Sequence, residues 1–91
     1  MTLADAQAKI LSLGGRLSGS RAYGEPRPDS DWDYWMPERK VILLLKWIIA
    51  SGERWDSPFL GSVTWRPDGI QVEVSYLFPR TKREAAKGNQ W

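Results

Sequence analysis

The sequence predicts an α/β (α+β) domain, with a small mixed β-sheet of about four strands and helices packed mainly on one face. Three observations carry this. Residues 70–78 alternate apolar and polar side chains at the period of a strand, directly after a Pro67-Asp68-Gly69 turn. Residues 41–50 form an apolar run whose length favours a helix over a strand. Residues 2–13 repeat Leu3, Ala6, Ile10 and Leu13 at helical spacing.

Each element follows in order. Thr2 and Asp5 fit a capping box at the start of the first helix, and Gly14-Gly15 stops it. Arg16-Leu17-Ser18 is a short strand running into Gly19-Ser20, and Gly24, Pro26 and Pro28 limit residues 21–30 to a brief helix and a loop. Asp31 to Met36 alternates acidic and aromatic positions as a second strand. Pro37 suits the first turn of the next helix, where its missing N–H costs nothing. The helix through Val41–Ala50 is apolar nearly all round, which predicts burial, and Ser51-Gly52 closes it. Ser62–Arg66 and Ile70–Phe78 then form a β-hairpin. Ile70, Val72, Val74, Tyr76 and Phe78 share its core face, leaving Gln71, Glu73 and Ser75 on the other. Val72, Val74, Tyr76, Leu44, Leu45 and Ile48 are the expected core. Pro79 ends the hairpin, and Thr81 and Glu84 are candidate caps for one or two helical turns over Thr81–Lys87.

Composition narrows the chemistry. The chain has 91 residues, enough for one small domain, taken as residues 1–79 with a basic tail at 80–91. It has no Cys and no His. Disulfide scaffolds, Cys or His metal sites and His-assisted nucleophiles are therefore excluded, and any metal must sit on oxygen. The net charge is +2, and the excess belongs to the tail, where Arg80, Lys82, Arg83 and Lys87 stand against Glu84 alone. Four cations without interleaved aromatics read as a solvated end, so nucleic-acid binding is not expected. No apolar run long enough to span a membrane is present, nor a basic start leading into an apolar stretch. Cytoplasm is the expected location. Six Trp are many for this length. Trp47 and Trp65 are expected in the core. Trp32, Trp35, Trp55 and Trp91 predict either an exposed aromatic patch that binds a partner or packing of residues 53–60 over the sheet.

Three features carry candidate chemistry. Gly19-Ser20 sits where a strand ends and a turn begins, and exposed backbone N–H groups at such a point bind phosphate. Asp31 and Asp33 are two apart on a strand, so both carboxylates share one face and repel unless a cation lies between them. Glu73 is the one acid within an apolar strand, which suits a metal ligand or a cross-strand pair with Thr64 or Arg66. Singly, each has an ordinary explanation as a turn or a solvated charge. Together, in this order, they form a constellation.

Gly19-Ser20, ten intervening residues, then Asp31-Trp32-Asp33 resembles the signature of minimal nucleotidyltransferases, the antitoxin-type domains of the DNA polymerase β-like superfamily. The stretch from Leu17 to Asp31 is similar to that signature almost residue for residue, and Glu73 stands where the family has a third carboxylate, commonly Asp. The resemblance implies a nucleotidyltransferase-like fold that moves a nucleoside monophosphate from a triphosphate, with ATP the expected nucleotide, to an acceptor hydroxyl. It further implies that Gly19, Ser20 and Arg21 hold phosphate, and that Asp31, Asp33 and Glu73 are catalytic and bind two Mg²⁺ (or Mn²⁺) ions. Such small domains often work beside a partner, notably HEPN-type toxins that some of them adenylylate. So short a chain leaves no segment for its own nucleobase pocket or acceptor site. The acceptor is therefore expected from another protein or from a homodimer. The alternative is a catalytically weak or inactive member that inhibits a partner by contact, as an antitoxin-like binding module.

Overall fold

In a computed structural model, which describes residues 1–24, 31–58 and 60–77, the chain forms three helices and four strands. They run α1 (Leu3–Ser12), β1 (Arg16–Ser18), α2 (Ser20–Tyr23), β2 (Trp32–Trp35), α3 (Glu38–Ala50), β3 (Ser62–Trp65) and β4 (Val72–Ser75). A 3-10 turn over Pro67–Gly69 joins the last two strands. The strand order is β1-β2-β4-β3. β2 and β4 run parallel at the centre, and β1 and β3 flank them antiparallel. The mixed sheet is thus present, and α3 supplies the crossover that a parallel pair requires.

The local signals act as the residues dictate. The Thr2 hydroxyl accepts from the Asp5 N–H at 3.0 Å, and the Asp5 carboxylate accepts from the Thr2 N–H at 3.1 Å, closing the capping box. Gly14 then takes φ +85°, a conformation open to glycine at low cost, and turns the chain into β1. Pro37 lies one position earlier than expected. It is the N-cap of α3, in extended geometry at ψ 134°, rather than a residue of its first turn.

One face of the sheet is the core. Tyr34, Val63, Trp65, Val72 and Val74 pack there against Ala6 and Ile10 of α1 and Val41, Leu44 and Ile48 of α3, with Met36 completing the cluster. Period-two alternation sends these side chains to one side, and both long helices cover that side. Leu45 and Tyr76, expected inside, are only half-buried at its margin.

Two further expectations are corrected. α3 is not buried all round: Ile42, Leu43 and Ile49 are exposed at 56%, 42% and 61%. In a two-layer domain a helix has one inward side, and a continuous apolar run cannot all face it. The hairpin strands are also shorter than the alternation predicts. Ile70 donates its N–H to Pro67 within the 3-10 turn, so it lies beyond the last ladder pair, Trp65 with Val72, and is 39% exposed. Trp65 is buried as expected, whereas Trp47 is half-buried. Phe78, the turns over Thr81–Lys87, the basic tail, Trp91 and the loop at 25–30 fall outside the described residues. Among the described residues, no helix is long and apolar enough to cross a membrane.

Candidate functional site

The sheet face turned away from α1 and α3 holds the candidate site. Residues that alternate with the core positions line up across all four strands by register. Ser18 of β1 stands opposite Asp33 of β2, Asp33 beside Glu73 of β4, and Glu73 opposite Thr64 of β3. Two of the three expected acids are therefore direct neighbours on parallel strands. Both are half-buried.

Gly19 closes one end of this row. It follows β1 at φ +72°, and a Cβ on it would fall 2.5 Å from Oδ2 of Asp33. The bare backbone of Gly19 thus lies against the Asp33 carboxylate, a placement only glycine permits. Ser20 begins α2 immediately afterwards. Below Gly19, the Ser18 hydroxyl is buried with no hydrogen-bond partner among the described residues and faces the same side as Asp33.

Asp31 precedes β2 and is exposed. Its Oδ2 accepts a hydrogen bond from Nε2 of Gln71 at 3.2 Å, and Gln71 shares the open side with Glu73. The structure therefore brings Gly19, Asp33 and Glu73 together and anchors Asp31 nearby through an amide. The sequence leads one to expect all three acids at a single point. Among the described residues, no three acidic side chains are gathered as a ready cation cage.

Arg21 is placed elsewhere. Its guanidinium stacks over the Trp32 ring, 4.0 Å from the centroid, and Trp32 packs against the core cluster. That is the helix side of the sheet. The same cation reaches Tyr34, where burial pushes the phenol pKa up against the opposing influences of a Gln7 hydrogen bond and Arg21. Tyr34 therefore stays neutral beneath the row of acids and supplies no charge to it.

Gln71 is the residue at the candidate site that sequence reasoning missed. Alternation puts it beside Glu73, but that it bridges to Asp31 depends on the β2–β4 register, where Trp32 N–H donates to the Gln71 carbonyl at 3.2 Å. Compared with family models, with curated proteins and with solved structures, the chain matches none.

Proposed function

We propose that the protein is a nucleotidyltransferase that uses Mg²⁺ (or Mn²⁺) to move a nucleoside monophosphate, from ATP first among the triphosphates, to a hydroxyl on a partner protein. The observation that carries the proposal is the in-register pair Asp33 and Glu73, with the Gly19 backbone against one carboxylate and Asp31 on the same side. Two carboxylates side by side attract cations, and oxygen donors select hard divalent ions. The donor set fits such an ion, although the third acid must draw in to complete it.

Asp31, Asp33 and Glu73 would hold the metal, which in its two-ion form supplies charge stabilisation to the phosphates. The remaining roles belong to the chain. Backbone N–H groups at Gly19-Ser20 bind the β- and γ-phosphates, as a turn opening into a helix does. Glu73 accepts the proton of the acceptor hydroxyl. The acceptor oxygen then bonds to the α-phosphorus, the bond from that phosphorus to the bridging oxygen breaks, and pyrophosphate leaves. Arg21 serves phosphate only after leaving the Trp32 ring.

The test is incubation with labelled ATP, GTP, CTP or UTP and Mg²⁺, alone and with cell lysate. A labelled protein band that needs both Asp31 and Asp33 is the expected result. A second reading, inhibition of a partner by contact alone, is favoured by the apolar side chains that α3 leaves exposed, Ile42 and Ile49 above all. It predicts that a variant lacking both aspartates still binds and blocks its partner.

A further inference from the structure

A cavity of about 260 Å³ lies at the β3 end of the acid row, where the sequence offered no acceptor site. The segment 54–56 forms one wall and the β3–β4 hairpin the other. Arg54, Trp55, Asp56, Thr64, Arg66 and Gln71 line it. The wall is fixed. Asp56 and Thr64 exchange two backbone hydrogen bonds of 2.8 Å each, which pin the segment to the free edge of β3.

The lining has an uneven charge. Arg66 donates to the neutral Oε1 of Gln71 at 3.1 Å, and neither Arg54 nor Arg66 forms an ion pair among the described residues. The one acid, Asp56, has an oxygen turned to the Ser57 N–H at 2.8 Å. Two arginines thus line a space that holds a single side-chain-sized group, since ordinary small-molecule pockets are larger. Trp55, 41% exposed, offers a flat apolar wall beside them. Guanidinium forks select carboxylate and phosphate oxygens.

Position gives the cavity a role. Gln71 joins it to the site, accepting from Arg66 and donating to Asp31. Thr64 stands next to Glu73 in the row. Gly19, the phosphate end, lies on the opposite side of the acids. We infer that this cavity is an anion subsite for the acceptor, holding a carboxylate or phosphate of the partner protein next to the hydroxyl to be modified. As an acceptor subsite it rests on the proposed nucleotidyltransferase reading.

The test uses the full chain, labelled for amide, indole and arginine side-chain NMR. Three capped tripeptides are titrated: serine between two aspartates, phosphoserine between two glycines, and serine between two glycines. The expected result is a saturable shift of the Trp55 indole and the Arg54 and Arg66 signals with one or both anionic peptides and none with the neutral one. Which anionic peptide acts identifies carboxylate or phosphate as the natural group. The double variant Arg54→Ala with Arg66→Ala should weaken that binding about tenfold or more, and Arg54→Lys with Arg66→Lys should restore part of it. Both replaced side chains, Arg54 and Arg66, are exposed, so the fold is not at stake. Shifts that persist in the alanine variant, or that scatter over the charged surface, overturn the subsite. MgATP is titrated separately, read at the amides of Gly19 and Asp33. If MgATP leaves those unmoved while the anionic peptide still needs both arginines, the anion site stands and the transferase reading, with the acceptor role, falls.

Discussion

Two rows of side chains, one residue apart on the same four strands, divide the labour of this molecule. Leu17, Tyr34, Val74 and Val63 form one row, and Ser18, Asp33, Glu73 and Thr64 the other. The first is pressed against α1 and α3, and Val63 and Val74 are 1% and 0% exposed. The second lies on the opposite face, where Asp33, Glu73 and Thr64 are half-buried. A strand lends itself to this because its period is two: whatever fixes one row fixes the other with it. Burial of the apolar row, about 1.5–3 kcal/mol for each large side chain, specifies the register. The polar row then inherits its alignment without having to stabilise it. The adjacency of Asp33 and Glu73 therefore follows from the core side of the sheet.

Substitutions on the two rows should therefore separate stability from activity. The largest expected effect is on activity. Asp31→Ala with Asp33→Ala should abolish transfer in the labelled-triphosphate assay, because the triphosphate then has no metal to join it to the protein. The same variant should stay folded and unfold in urea close to the wild-type midpoint, since Asp31 is exposed and the apolar row that sets the register is untouched. On the core side, Leu44→Ala should cost about 2–5 kcal/mol, as truncation of a fully buried leucine leaves a cavity. A shared loss of stability in both variants would show that the open row is part of the scaffold, and the division would fail.

Gly19 tests the boundary between the rows. It belongs to the backbone, yet it touches the site. Gly19→Ala meets φ +72° and the Asp33 carboxylate together, so either the loop or Asp33 must move. The expected loss is roughly 1–3 kcal/mol of stability, with a further fall in any transfer that depends on Asp33. Urea denaturation and the transfer assay read the two parts. Unchanged activity in a folded Gly19→Ala protein would remove Gly19 from the site.

What the sequence made legible follows the same division. Alternation in residues 70–78 placed Val72 and Val74 inside and Glu73 outside, because a half-buried strand writes its two faces directly into its pattern. The capping box and the Gly14 stop were equally readable, being local. Contacts decided by tertiary placement were not. The exposure of Ile42 and Ile49 depends on how many layers cover α3, which an apolar run does not record. Arg21 is adjacent to Gly19-Ser20 in sequence, but a short helix turns it onto Trp32. The link from Asp31 to Gln71 joins residues 40 apart, and the cavity by Arg54 needs the Asp56–Thr64 bridge. Neither leaves a local signature.

The smallest expected effect lies away from both rows, in the exposed capping box of α1. Thr2→Ala should cost about 1 kcal/mol, as loss of an N-cap hydroxyl does, and leave transfer untouched at pH 7. Asp5 adds a pH dependence whose sign is set by its hydrogen bonds. Its carboxyl pKa is held below the ordinary 3.8, chiefly by the Thr2 backbone N–H and then by the Thr2 side chain. A carboxylate with a depressed folded-state pKa contributes stability above its unfolded value. That contribution disappears as pH falls from about 3.8 through the lower folded value. Asp5→Asn should therefore melt below the wild type at pH 7, and the gap should close as pH falls below that point. Thermal melts of both proteins at pH 7, 4 and 2.5 measure it. A gap that stays constant across this range would mean that the cap acts by geometry alone, with no stabilisation from the charge of Asp5.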